Sequence, residues 1–444
     1  ASKAASGLLL TDLNGSSNAF VVKPGGFVLS AIQQTALPQL GNPGAANASG
    51  IKFIKAGEAF SVTVRATTTS TSGVISTTPS YGRESVPESV KLNASLVAPA
   101  GGAAGTLTGD FGLFSNGVAT GTAFAWNEVG IMTLTPRITS YLGVSGDVTG
   151  TVSGNVGRFT PNHFITEVAE QACLAGGFTY SGQPFKVVVS AKSGGIPSVV
   201  TQNYTGLYAR DLTLSDANAT GLAALSPADF LASTVDKGVA TLTTPRFTFT
   251  NAQTVPTALK LRATDTDGVT SVAQAEGSVL MRSGRIRVSN AYGSEKLDLP
   301  IPLNLEYWTG GGWVKNSADT CTLLQSQNFG FTFPTVTGAN QLKACDTAVT
   351  LSGVGVAPNY SFSLSKPVNG LIGWVDVTLN LGVTALQPVA TQCRATGGPG
   401  TADVPANVPW LQHDWTGSTG NPKARATFGL HKSRSPHIYR RENH

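Results

Sequence analysis

The sequence predicts an all-β chain, tandem immunoglobulin-like antiparallel β-sandwiches with Greek-key connections and one minor helix. Three observations predict it. Apolar runs alternate with period two, as in a sheet with one buried face. An internal repeat sets two copies of one module in succession. Gly (51) and Pro (24) punctuate the 444 residues at turn spacing, and long amphipathic helical stretches are absent.

The elements follow in chain order. Residues 1–19 are an extension outside the repeats, with an apolar run at Leu8, Leu9 and Leu10 that reads equally as an inter-subunit strand or as a remnant of a preceding domain. The first sandwich takes residues 20–157 and the second 158–283. Gly57-Glu-Ala-Phe-Ser-Val-Thr-Val-Arg-Ala-Thr67 aligns with Gly182-Gln-Pro-Phe-Lys-Val-Val-Val-Ser-Ala-Lys192. The order holds further on: Tyr81 matches Tyr204, Gly117-Val-Ala-Thr120 matches Gly238-Val-Ala-Thr241, and Phe27 matches Phe164. In Phe60-Ser-Val-Thr-Val-Arg-Ala66, the residues Phe60, Val62, Val64 and Ala66 share one face. Ser226-Pro-Ala-Asp-Phe-Leu231 supplies the helix, with Ser226 as N-cap and Pro227 at the first helical position. A third β-region, 284–444, holds every tryptophan except Trp126 and every cysteine except Cys173.

Composition narrows the function classes. Charged residues are 12% of the chain, against ~25% in ordinary soluble domains. Hydrophobic residues reach 41%, enough for packed cores and against wholesale disorder. No apolar run reaches the ~18 residues of a membrane-crossing helix. The formal charge of +5 owes much to Lys423, Arg425, Lys432, Arg434, Arg440 and Arg441. That basic tail reads as a solvated strand pair, with nucleic-acid binding ranked last. Low charge with much Thr and Gly suits an extracellular bacterial surface protein. The chain starts at Ala1 without a Met and reads as a processed or excised piece.

The four cysteines, Cys173, Cys321, Cys345 and Cys393, lack C-x-x-C spacing. Cys321–Cys345 would close a short loop, leaving Cys173–Cys393; both bonds imply an oxidising compartment, and four buried thiols are the other reading. Five scattered histidines, with no H-E-x-x-H and no G-x-S-x-G, point away from hydrolase and zinc chemistry. No catalytic residue and no required cofactor is assigned. Asp265-Thr-Asp267-Gly268 is a fragment of a calcium loop, and equally a plain β-turn. Trp308, Trp313, Trp410 and Trp415 could stack on sugar rings, with Gln412 and Asp414 as hydrogen-bonding partners, or could fill the core of the third region. Asp414 with Glu306 has the residue types of a glycosidase pair but no geometric support in the sequence.

Several motifs together resemble a known family. These are Ala125-Trp-Asn-Glu-Val-Gly130, Gly157-Arg-Phe-Thr-Pro-Asn-His-Phe164, Gly177-Phe-Thr-Tyr-Ser-Gly-Gln-Pro-Phe185, Gly284-Arg-Ile-Arg-Val-Ser-Asn-Ala-Tyr-Gly-Ser-Glu295, Pro300-Ile-Pro-Leu-Asn-Leu-Glu-Tyr-Trp308 and Ala424-Arg-Ala-Thr-Phe-Gly-Leu430. They resemble the large C-terminal region of MshQ-like proteins, which belong to mannose-sensitive haemagglutinin (type IV pilus) biogenesis clusters of Gram-negative bacteria. The resemblance covers residues 20 to 444 and implies an exported surface or pilus-associated protein. That region is itself a domain of unknown function, so no catalytic residue is carried over.

The expectation is a non-enzymatic extracellular structural or adhesive protein of a bacterial surface appendage. Its partners would be copies of itself, other pilus or surface proteins, or glycans. The alternative is a carbohydrate-binding or polysaccharide-active surface protein using the tryptophans of the third region.

Overall fold

The computed structural model describes residues 18, 20–69, 73–173, 175–352, 360–386, 392–393, 399–400, 404–414 and 419–429. Leu8, Leu9, Leu10, Trp415 and most of the basic tail lie outside them. The chain forms two compact units. One comprises Ala1–His163, Ala191–Arg210 and Val235–Gly238; the other comprises Phe164–Ser190, Asp211–Thr234 and Val239–His444.

Through residue 160 the first unit carries, among the described residues, β1 (Gly26–Gln34), β2 (Ile54–Lys55), β3 (Phe60–Thr69), β4 (Ile75–Thr77), β5 (Lys91–Ala98), β6 (Leu107–Thr108), β7 (Val118–Trp126), β8 (Gly130–Tyr141), β9 (Val144–Thr149) and β10 (Val156–Thr160). One sheet runs β1-β3-β7-β6 and the other β2-β10-β8-β5, with β4 added to β3 and β9 to β8. The first strand of the sandwich is split: β1 pairs with β3, then β2 crosses over and runs parallel to the last strand, β10. This is immunoglobulin topology, with the strands that flank the sandwich exchanging sheets.

Period-two patterning fills its core. Phe60, Val62, Val64 and Ala66 are buried from the first sheet, and Met132, Leu134 and Phe159 face them from the second. Phe53, Phe60, Phe159 and Trp126 meet edge to face, with centroids 4.9–6.1 Å apart. Each such ring stabilises the fold by roughly 1.5–3 kcal/mol through burial alone.

The same scheme returns in β11 (His163–Glu170), β12 (Thr179–Tyr180), β13 (Lys186–Lys192), β14 (Leu212–Asp216), β15 (Ala223–Ser226), β16 (Asp229–Phe230), β17 (Val235–Asp236), β18 (Val239–Leu242), β19 (Arg246–Phe249), β20 (Thr257–Asp265) and β21 (Ser278–Arg282). In the second unit β13 pairs with β11 and β18, and the facing sheet runs β12-β21-β20-β14-β16, with β12 parallel to β21. The aligned glycines explain themselves. Gly57 and Gly182 hold φ of +82° and +85° in the turn before β3 and before β13, a conformation that a Cβ disfavours.

The expected helix is not formed, and no α-helix occurs among the described residues. Ser226 pairs with Arg246 in the β15–β19 ribbon, and Asp229–Phe230 pair with Thr213 and Leu212. Helical geometry is confined there to one 3₁₀ turn, Ala232–Thr234. A segment this short does not repay the cost of helix nucleation, whereas the extended chain gains ladder hydrogen bonds at once. Asp229 adds to them by accepting from the Thr213 hydroxyl at 2.7 Å.

The rest of the second unit carries β22 (Gly284–Val288), β23 (Ala291–Gly293), β24 (Leu299–Pro300), β25 (Leu303–Trp308), β26 (Trp313–Lys315), β27 (Phe329–Thr332), β28 (Val349–Ser352), β29 (Ser361–Leu364), β30 (Gly373–Leu379), β31 (Gln392–Cys393), β32 (Pro399–Gly400), β33 (His413–Asp414), β34 (Thr419–Gly420) and β35 (Lys423–Phe428). Its sheets include β22-β25-β26, β23-β35-β30-β27 and β24-β29-β28. Ile286, Leu305, Phe329, Val375, Val377 and Ala426 centre the core, where Phe329 stacks on Phe362 at 4.1 Å. Cys173, Phe178 and Tyr180 belong to this same core.

The disulfide pairing differs from the expected one. Cys173 bonds Cys321 across 148 residues of sequence, so neither Cys321–Cys345 nor Cys173–Cys393 forms. Cys345 is disulfide-bonded as well, and the side chain of Cys393 lies outside the described residues. Nearness in sequence was the wrong criterion, because the entropy of closing a loop rises only slowly with its length. Phe178 and Tyr180 decide the matter. Buried in the C-terminal core, they bring Cys173, which pairs with Phe178 across a tight turn, up to Cys321.

Candidate binding cleft and the seam beneath it

Tyr180 is the centre of a buried polar network. Its hydroxyl donates to Asp319 Oδ2 at 2.9 Å and accepts from Asn316 Nδ2 at 2.6 Å. Asp319 Oδ1 takes the backbone N–H groups of Cys321 and Thr322, each at 2.9 Å, and Oδ2 takes the Thr322 hydroxyl at 2.7 Å. Arg282 donates to Asn316 Oδ1 at 2.8 Å while its guanidinium lies 4.3 Å from the Phe178 ring centroid and 4.7 Å from that of Tyr307. Burial, with the Asp319 carboxylate beside it, holds the Tyr180 phenol well above its ordinary pKa and therefore neutral. Cys173, Asp319 and Cys321 also cluster as metal-ligating types do, but both sulfurs are spent in the disulfide and both Asp319 oxygens accept hydrogen bonds. The network is structural.

Beside it opens a cleft of about 400 Å³, lined among others by Arg246, Thr248, Ser283, Trp410, Gln412 and His413. Trp410 sits in the 3₁₀ turn Pro409–Leu411, which the buried Leu411 anchors, and the indole Nε1 is buried without an acceptor. Gln412 donates to Asn421 at 2.9 Å, which fixes its amide against one wall.

Trp308 and Trp313 face each other across the β25–β26 hairpin, edge to face at 5.6 Å. Trp313 is hemmed in further. The Arg285 guanidinium lies 4.2 Å from its ring centroid, and the His413 ring meets it edge to face at 4.8 Å. Arg285 in turn pairs with the buried Glu306 at 2.7 Å. Burial, and then Arg285, hold His413 below the ordinary histidine pKa. Asp414 stands exposed at the end of β33, and Glu306 is occupied by Arg285.

In the Asp265-Thr-Asp267-Gly268 turn, Asp265 Oδ1 accepts the Val269 N–H at 2.8 Å, and the Asp265 carbonyl accepts from Gly268 at 3.0 Å. Glu276, at the twelfth position of that stretch, is engaged by Arg262 at 2.8 Å and by the Ser271 hydroxyl at 3.0 Å.

Sequence reasoning missed a second polar constellation, in the first unit. Glu128 is 5% exposed, and its carboxylate takes the N–H groups of Val129, Gln202 and Asn203 at 2.8, 3.0 and 3.1 Å. The Asn203 side chain completes the lock, donating to the carbonyls of Ala103 and Val129 and accepting from the Ala103 N–H at 2.7 Å. Burial raises the Glu128 pKa above the ordinary carboxylate value. The available signal was Ala125-Trp-Asn-Glu-Val-Gly130, a carboxylate set among apolar residues between two strands.

A search of curated proteins gave no match. Among solved structures the chain is similar to the Escherichia coli adhesin FdeC, at 16% identity over 80% of this chain and 95% of that one, with a TM-score of 0.30. It is similar to the Yersinia pseudotuberculosis adhesin InvE, at 15% identity over 51% of this chain and 56% of that one, TM-score 0.23. For domains 4–9 of the surface layer protein SbsC the values are 12%, 76%, 43% and 0.17. Family comparison is decisive: residues 23–125 match the second domain of DUF6701, 128–281 the third and 282–443 the fourth. The chain belongs to the DUF6701 family, of which it carries the second, third and fourth domains.

Proposed function

We propose that this chain is a non-enzymatic, extracellular structural and adhesive part of a bacterial surface appendage, a stalk or subunit of the kind associated with MshQ and type IV pili in Gram-negative bacteria. The Cys173–Cys321 bond carries the reading. A disulfide, buried at Cys173 and partly buried at Cys321, that ties the second immunoglobulin-type repeat to the C-terminal region belongs to an oxidising compartment and resists separation of the two under load. The working parts are the modules 20–157, 158–283 and 284–444, with Leu8, Leu9 and Leu10 in the 1–19 extension docking on a neighbouring subunit.

The test is to fractionate native cells, shear off surface material and image it with antibody-gold labelling. Label on filaments or their tips, with no cysteine reacting with maleimide before reduction, is the expected result. Protein confined to the cytosol with reactive thiols overturns the reading. Deleting residues 1–19 should abolish multimers; assembly that survives the deletion removes the docking role of that segment.

The Trp410 cleft supports a second reading, carbohydrate binding by the third module, because an aromatic wall beside Gln412, His413 and Arg246 suits a sugar ring. Trp410→Ala combined with Trp415→Ala should then abolish retention on glycan without unfolding the protein. Retention equal to wild type removes this reading.

A further inference from the structure

The outer face of the β23-β35-β30-β27 sheet has a composition that a solvated sheet face does not need. Alternation sends Ala424, Ala426, Val375 and Val377 into the core, so Lys423 and Arg425 of β35 point outward, with Trp374, Asp376 and Thr378 of β30 beside them; Thr427, on the same face, is covered. The register sets them in rows. Tyr292, Thr427 and Trp374 form the first, since Thr427 pairs with both neighbours. Arg425, Asp376 and Thr332 form the second, and Lys423 with Thr378 the third. Above the second and third rows, with Tyr292 of the first at its edge, lies a cleft of about 580 Å³.

Tyr292 is 69% exposed, an unusual place for an aromatic ring, and with Trp374 it flanks Thr427. Two strand spacings put these two side chains ~10 Å apart. Asp376 and Arg425 are held in a two-pronged pair at 2.7 and 2.9 Å, and the Arg425 guanidinium also lies 5.6 Å from the Trp374 ring centroid. The Arg425 backbone N–H is fixed by Asn290 Oδ1 at 2.8 Å. Lys423 stands ~13 Å along the strand from the aromatic row. Among the described residues it makes no ion pair.

We propose that this face binds an acidic polysaccharide. The exposed ring of Tyr292 offers a negative face to the C–H side of a pyranose, while Trp374 backs the Arg425 guanidinium. The Asp376–Arg425 pair, with Thr332 and Thr378, offers acceptors and donors side by side for hydroxyl groups. Lys423 and Arg425 against the single carboxylate of Asp376 leave the face cationic, which selects a sugar bearing a carboxylate. Outward aliphatic side chains, which a protein partner would bury at the centre of an interface, do not line the cleft. The site is separate from the Trp410 cleft, and it does not depend on the disulfide that carries the structural reading.

Affinity electrophoresis and calorimetry on the full chain test it, with polygalacturonate, alginate and hyaluronate as probes and methyl-esterified polygalacturonate as the same backbone without charge. Retention by at least one acidic polymer is expected. Tyr292→Ala and Lys423→Ala, both surface changes, should each weaken it about tenfold, equivalent to ~1.4 kcal/mol. Esterification should weaken binding to polygalacturonate by a similar factor. No retention of any acidic polymer overturns the proposal. So does retention that Tyr292→Ala leaves intact, which would mean plain polyelectrolyte attraction, and so does equal retention of single-stranded DNA.

Discussion

Two seams hold consecutive parts of this chain together, and their chemistry differs. In the first unit the sandwich grips residues 202–203 through a buried carboxylate and an amide, Glu128 and Asn203, using hydrogen bonds alone. In the second unit the Cys173–Cys321 bond, the rings of Phe178 and Tyr180 and the Tyr180–Asp319–Asn316 network act together. A polar lock is directional but loses its hold once one partner is removed, because the other groups are left buried and unpaired. A covalent and apolar seam keeps part of its strength when any one component goes. The difference predicts that the first seam is fragile to single substitutions, and the second mainly to reduction.

The largest effect should come from the disulfide. Replacing both Cys173 and Cys321 by Ala should lower the stability of the second unit by ~5 kcal/mol, the loop-entropy expectation for so long a closure. Urea unfolding followed by tyrosine and tryptophan fluorescence measures this. In dithiothreitol, which also opens the bond of Cys345, wild type and variant should unfold at a common midpoint, and an unchanged midpoint of the variant without reductant would make the Cys173–Cys321 link dispensable.

Next comes Glu128→Ala, which leaves three backbone N–H groups, two of them buried, without their acceptor and should cost ~2–4 kcal/mol in the first unit. Hydrogen exchange at Gln202 and Asn203 is the specific readout, since a general loss of stability would not single out those two amides. Tyr180→Phe should be milder, ~1–3 kcal/mol, as it deletes one hydroxyl and leaves Asp319 its bonds from Cys321 and Thr322. If Tyr180→Phe proved costlier than Glu128→Ala, the polar part of the second seam would outweigh its apolar part.

Much of this architecture was legible in the residues. Phe60, Val62 and Val64 alternate in sequence and are buried from one face, and the paired glycines Gly57 and Gly182 mark matching turns. Such features are local, so a pattern of two or of one turn suffices. The seams are not local. Nothing within reach of Cys173 in sequence names Cys321, and the partner of Glu128 is a backbone segment more than seventy residues on. Yet the motifs by which the chain resembles a family include Ala125–Gly130 and Gly177–Phe185, and these hold Glu128, Phe178 and Tyr180. Tyr292 and Trp374 were passed over for another reason: a single aromatic in an alternating strand looks the same whether its face is covered or open.

The smallest effect compares one titratable group in each unit, Glu128 and His413, because its sign differs between them. Burial raises the Glu128 pKa, so the folded state takes up that proton more readily than the unfolded chain. Its contribution to stability therefore grows as the pH falls from neutrality through the raised value, and levels off below the ordinary carboxylate value of 4.5. His413 runs the other way. Burial and Arg285 hold it below 6.5, so the unfolded chain takes its proton first, and stability is lost as the pH falls below that value. His163, also lowered by burial and by Lys192 and Lys55, opposes Glu128 in the same unit, so each group must be read against its own variant. Between pH 7 and 5, stability relative to Glu128→Gln should shift in favour of wild type, and relative to His413→Gln against it. Parallel shifts in the two comparisons would mean that burial does not act on Glu128 and His413 with opposite sign.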